Sequence, residues 1–224
     1  MTIHAPKHRP LSLLDFELLS LGAGEQKLWS SDEFEAVIVL IEGVCAVSAG
    51  GETREWRRHS VFDDAASAAF ISPGTELTLR ASEKTIIALC KARAKKVFKP
   101  AFISPEQVRN EWRGEDGFRR QVFDIVNTET KTERIAVGET VSGPGQWSSF
   151  PPHKHDTHEK TAAGAVAEAP LEEIYYFRVE PATGFGFQRL YAGDRSFDEA
   201  YVIKDGDVTR IPAGYHPVAN MPGH

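Results

Sequence analysis

The chain has 224 residues, enough for one large all-β domain or two small ones, and 41% of them are hydrophobic, so a real core can form. A formal charge of −6 excludes the strongly basic surface that a phosphate backbone requires, and two cysteines, Cys45 and Cys90, each in an apolar stretch, argue for buried thiols rather than disulfides or a zinc cluster. The longest aliphatic run, 37–41, is far below the roughly 20 residues of a membrane helix, and residues 1–16 lack a secretory pattern, so a cytoplasmic protein with neither membrane nor nucleic-acid partners is expected.

In chain order, short β-branched or aromatic runs predict strands at 36–41, 85–89, 134–137, 174–177, 185–191 and 200–203. Between them stand Gly50-Gly51, Pro73-Gly74, Gly143-Pro144-Gly145 and Asp205-Gly206, the punctuation of a sandwich or barrel. Helix is expected only around 104–112, where Ser104 caps a turn beginning at Pro105. The basic run Lys91, Arg93, Lys95, Lys96, Lys99 ends at Pro100 and reads as a solvated strand edge and linker.

A weak internal repeat runs through this pattern. Glu35 opens a strand that is followed by Gly50-Gly51 and Phe70-Ile-Ser-Pro-Gly74; Glu173 opens one followed by a hairpin and Arg210-Ile-Pro-Ala-Gly214. Two copies of one β-unit are therefore expected, residues 1–99 and 100–224. The first copy continues well past its Pro-Gly turn, whereas ten residues follow Gly214, so the second unit reads as lacking its C-terminal strand.

The chemistry concentrates in the second copy. In Pro152-His153-Lys154-His155-Asp156 the two histidines are two apart, and on an extended segment residues i and i+2 share a face, so both imidazoles can converge on one ion while Lys154 points away. Glu173 opens the next strand and His216 follows the turn Pro212-Ala-Gly-Tyr215. Three imidazoles and a carboxylate suit a divalent transition metal with positions left for water or substrate. Glu35 has no His-x-His before it, and Thr75 and Glu76 stand after Pro73-Gly74, so the first copy cannot complete that set. His158 is a further histidine in the following loop. The stretch 156–172, with its small residues 161–167, reads as a flexible lid beside the site.

These motifs resemble the cupin superfamily. Gly206, five residues, Pro212-Ala-Gly214, His216 and Asn220 follow its second motif with one residue fewer before the histidine, while the gap from His155 to Glu173 is longer than in its first. The strings 147–156, 171–178, 184–191 and 212–217 are similar to the 5-deoxy-glucuronate isomerase family of myo-inositol catabolism, closely over 143–223 and more loosely over 1–140. The resemblance implies two cupin-type β-barrel or jelly-roll units in tandem and metal ligands at His153, His155, Glu173 and His216, with Glu172 an alternative to Glu173. It implies a sugar-acid substrate, a zinc or manganese ion with iron as an alternative, and assembly as a homo-oligomer. Tyr175 and Gln188 are the candidates for placing protons and hydroxyls, and Arg189 or Arg195 for the substrate carboxylate. A cupin dioxygenase and a non-catalytic sugar-binding module are the rival readings.

Overall fold

The computed structural model describes residues 1–6, 10–127, 129–160 and 166–223. Apart from one 3-10 turn, Pro105–Gln107, every regular element of the described residues is a β-strand, and no helix among them is long and apolar enough to cross a membrane.

Two compact units form. One comprises Leu14–Glu111 and Val122–Glu139, the other Met1–Leu13, Trp112–Gln121 and Thr140–His224. The expected partition at residue 99 follows chain order, whereas this one sends the first thirteen residues to the later unit.

In the earlier unit a single strand, Phe34–Ala49, organises everything. Its first half pairs with Thr85–Arg93 and Ala68–Ile71, and its second half with Glu52–Arg58 and Leu77–Ala81. The switch falls at a register shift between Leu40 and Glu42, next to Gly43. There φ is +107°, and an added Cβ would stand 2.6 Å from the Lys84 carbonyl oxygen, so only glycine fits the bend. The inward faces carry Ile38, Leu40, Val47, Ile71, Leu77, Leu79, Ile87 and Leu89, all fully buried. Burial of that much branched aliphatic surface, at about 25 cal/mol per Å², drives this unit to a closed apolar core.

Glu35 and Arg58 are the charged exceptions inside it. The Glu35 carboxylate accepts the backbone N–H groups of Glu133, Arg134 and Ile135 at 2.7–2.9 Å. That explains why the expected strand at 134–137 begins only at Val137: its first amides are satisfied by a side chain instead of a ladder. Arg58 forms a two-pronged bridge to Glu139 at 2.8 and 2.7 Å and donates to the carbonyls of Leu40 and Asp64.

The expected helix at 104–112 is corrected to the single turn Pro105–Gln107 followed by a strand, Arg109–Arg113. Ser104 does stand at its N-cap, where the Gln107 side chain accepts the Ser104 N–H at 2.9 Å, but residues 109–113 are exposed throughout and offer no apolar stripe to hold a longer helix. In the basic run, Lys91 pairs with Asp15 at 2.8 Å and Arg93 with Glu33 at 2.8 Å. Cys45 and Cys90 are free thiols; burial raises both, Cys90 to about 12.

In the later unit, Glu173–Tyr176 runs antiparallel to Val208–Ile211, with Glu173 opposite Ile211 and Tyr175 opposite Thr209. Ile3–His4 adds to the other edge of Val208–Ile211 in parallel. A second sheet orders Trp147–Ser148, Val218–Asn220, Phe185–Tyr191 and Asp198–Lys204. Along Phe185–Tyr191 the burial alternates, with Gly186, Gln188 and Leu190 inside and Phe185, Phe187 and Arg189 outside. This interior is polar: Gln188, Thr209 and His216 are at most 1% exposed, amid Leu190, Ile203 and Ile211.

Candidate metal centre

Each of the four expected ligands reaches the centre for a local reason. His153 and His155 lie two apart on an extended segment whose alternation brings both rings to that of His216, at centroid distances of 4.8 and 5.7 Å, while Lys154 stands 3.7 Å from Asp156. Glu173 is the first residue of its strand. His216 follows Gly214, which has φ +89° and no room for a Cβ, the Tyr191 carbonyl oxygen being 2.8 Å from where one would stand. Asp156 accepts the Gly214 N–H at 2.6 Å, tying the His-x-His segment to the turn that carries His216.

One ring nitrogen from each of His153, His155 and His216 lies within 4.8 Å of the others. Glu173 approaches two of them, Oε1 at 3.7 Å from His155 Nε2 and Oε2 at 3.1 Å from His216 Nε2. The 3.1 Å contact is informative because neither atom makes a hydrogen bond, although both are buried. Two donors each about 2.1 Å from an ion stand about 3 Å apart at a right angle, so the spacing and the missing bonds both fit a cation between them.

The tautomers agree. His216 Nδ1 lies 3.0 Å from the Gly214 carbonyl oxygen and His153 Nδ1 3.3 Å from that of Pro151. Protonated Nδ1 atoms donating to those carbonyls leave each Nε2 lone pair for a metal. Burial lowers both imidazoles below the ordinary histidine value, keeping them neutral. Burial pushes the Glu173 carboxyl up, an effect opposed by the neighbouring His155 and His153. A divalent ion held here would favour the carboxylate by offsetting that desolvation.

Glu172 goes elsewhere. Its carboxylate accepts Ser12 N–H and Oγ–H at 2.8 and 2.6 Å and Leu13 N–H at 2.8 Å. His158 is exposed and outside the cluster. Residues 161–165 of the expected lid lie outside the described residues.

Tyr175, two residues along from Glu173 and on its face, has its ring 5.9 Å from that of His216 and its hydroxyl 3.0 Å from Ser149 Oγ. Burial and then the Glu173 charge raise its phenol, so it stays protonated. Gln188 donates through Nε2 to the His216 carbonyl at 3.3 Å, while its buried Oε1 has no partner among the described residues, like the buried Thr209 Oγ1. Arg189 and Arg195 do not reach the centre. Both pair with Asp198, at 2.6–2.7 Å, and lie over the Tyr191 ring. Sequence reasoning missed Arg120, at the start of Arg120–Val126, whose charge is felt by both His153 and Tyr175. It also missed Asp156 and Ser149; a buried non-glycine residue at φ +51° has no signature in residue type.

A model of the KduI/IolB family matches residues 1–224. A 5-deoxy-glucuronate isomerase of Geobacillus thermodenitrificans is 32% identical over 222 residues, covering 98% of this chain and 79% of that protein. One of Bacillus subtilis is 32% identical over 218 residues, 96% of this chain and 79% of its own length. Among solved structures, an IolB-like protein of Salmonella typhimurium superposes with a TM-score of 0.88 at 34% identity, covering 94% of this chain and 80% of that one. Bacillus subtilis oxalate decarboxylase, described for its Mn(II) centres, superposes with a TM-score of 0.60 at 13% identity over 95% of this chain and 66% of its own, a likeness of fold. The tandem cupin-type architecture is thereby established, and with the histidine triad it points to a divalent metal.

Proposed function

The chain belongs to the KduI/IolB family, and on that premise we propose that it is a ketol-isomerase that converts 5-deoxy-glucuronate to 2-deoxy-5-keto-gluconate in inositol catabolism, using one divalent ion held by His153, His155, Glu173 and His216. The observation that carries it is the 3.1 Å approach of two buried, unbonded ligand atoms, His216 Nε2 and Glu173 Oε2, beside the clustered ring nitrogens of His153, His155 and His216. The mixed nitrogen and oxygen donors favour zinc or manganese, with iron as the alternative.

Aldose–ketose interconversion moves a proton between adjacent carbons through an enediol. An ion held by His153, His155, Glu173 and His216 would supply a Lewis acid against the negative charge that develops on the oxygens. The chain supplies the proton handling. Tyr175 holds its proton at the phenol oxygen beside Ser149 and can donate a hydrogen bond to a substrate oxygen. Gln188 anchors the His216 backbone through Nε2 and offers Oε1 as an acceptor for a sugar hydroxyl. The substrate is a small soluble sugar acid, in keeping with a cytoplasmic enzyme, and a homo-oligomer is the expected assembly.

The test is incubation of manganese- or zinc-loaded protein with 5-deoxy-glucuronate in deuterium oxide under nitrogen, followed by NMR. Ketose formation without oxygen supports the isomerase. Turnover that requires oxygen supports the dioxygenase reading instead, and binding without turnover the sugar-binding module.

A further inference from the structure

A sugar acid brings a carboxylate into the site, and the cations of the later unit differ in how far they are already committed. Arg178 pairs with Asp205 at 2.9 Å, Arg189 and Arg195 with Asp198, and Lys154 stands by Asp156. Arg119 lies over the Trp112 ring. Arg120 differs. It is half-buried, and its guanidinium donates through one terminal nitrogen to two backbone carbonyls, Phe118 at 3.2 Å and Phe150 at 3.4 Å, with no carboxylate partner among the described residues.

Its anchor places it. Phe150 follows Ser149, whose Oγ meets the Tyr175 hydroxyl at 3.0 Å, and precedes His153 by three residues. The left-handed backbone at Ser149, φ +51°, turns that hydroxyl toward Tyr175 while the next carbonyl receives Arg120. A half-buried guanidinium that meets only backbone carbonyls keeps its charge available to an incoming anion, and its planar fork matches a carboxylate with two parallel hydrogen bonds.

We propose that Arg120 is the residue that binds the substrate's carboxylate, so that the acid end of the sugar is held beside Tyr175 while the aldehyde end faces His153, His155, Glu173 and His216. The role rests on the isomerase reading for its substrate, and makes Arg120 the determinant of acid over alcohol.

The test compares metal-loaded wild type, Arg120→Gln and Arg120→Lys on 5-deoxy-glucuronate and on 5-deoxy-glucose, in which a hydroxymethyl group replaces the carboxylate. Losing a charge-assisted pair costs roughly 10- to 100-fold in kcat/KM. That loss is expected on the acid alone in R120Q, mainly through KM, with R120K intermediate and metal content unchanged. Equal losses on both substrates, or an unchanged acid preference, overturn the proposal. Should R120Q fail to fold, the same ratio in R120K decides. Should wild type turn over neither substrate, the isomerase reading has failed, and calorimetric titration of D-glucuronate decides instead: binding by wild type that R120Q lacks supports the carboxylate site, and binding that is absent from wild type or equal in both refutes it.

Discussion

Glu35 is the second residue of Phe34–Ala49 and Glu173 the first of Glu173–Tyr176, and their surroundings give them opposite work. Glu35 is wholly buried, and three backbone N–H groups converge on its oxygens, so its charge is spent holding the segment 133–135. Glu173 has a buried oxygen that accepts nothing, set against the lone-pair side of an imidazole. The units as a whole repeat the contrast, one filled with aliphatic side chains and the other keeping Gln188, Thr209 and His216 inside. A buried carboxylate met by hydrogen donors is a clamp, whereas one met by other acceptors is waiting for a cation.

Removing the ligands should break that contrast most severely. His153→Ala and His216→Ala are each expected to abolish ion binding, reduced from one ion per chain in elemental analysis, and to lower kcat/KM by at least about a thousand-fold while circular dichroism stays native. Next comes the paired exchange of the two glutamates. Glu173→Gln should lose metal with little change in the apoprotein's melting, whereas Glu35→Gln should keep the ion and lose about 2–4 kcal/mol in urea unfolding, because an amide faces three N–H groups with only one good acceptor. If both variants lose metal, or neither loses stability, the two carboxylates are not divided in this way.

Tyr175→Phe sharpens the comparison on the reactive side. It should retain the ion and lower kcat roughly 10- to 100-fold, read by single-turnover kinetics. The smallest effect concerns Asp207. Partial burial alone would raise its carboxyl, but the N–H groups of Thr2 and Lys204 and the His4 ring bring it below the usual range. A depressed folded value means that its stabilisation is complete above the unfolded value, about 3.9, and is lost as pH falls through the folded one. Asp207→Asn should therefore cost about 1 kcal/mol at neutral pH and progressively less as pH falls below about 3.9, followed by thermal melting.

Much of this was legible in the residues. The strand 185–191 has the same limits in sequence and structure, because Phe-Gly-Phe-Gln-Arg-Leu-Tyr alternates strictly and ends at turns. That His153, His155, Glu173 and His216 come together was legible in the His-x-His spacing and in the turn before His216, where Gly214 has φ +89°. Glu172 and Glu173 differ by one position, and what separates them is distant in sequence: Ser12 and Leu13 hold the Glu172 carboxylate, while Glu173 pairs with Ile211 at the head of its strand. Arg120 comes from thirty-three positions before His153, and no local pattern announces that approach. The stretch 134–136 read as strand because its residues favour one; a distant carboxylate took its amides.

The pairing of Ile3–His4 with Val208–Thr209, reinforced by Thr2 N–H on Asp207 and by Ser12 and Leu13 on Glu172, joins segments that lie 159 to 205 positions apart in the chain. Contacts of such sequence separation close slowly, whereas the unit built from Leu14–Glu111 and Val122–Glu139 can condense without them. The unit that carries the histidine cluster is thus expected to be the slower of the two to close. A fragment excised at residue 100 would omit the edge strand along Val208–Thr209 and leave that ladder open to pairing with other chains.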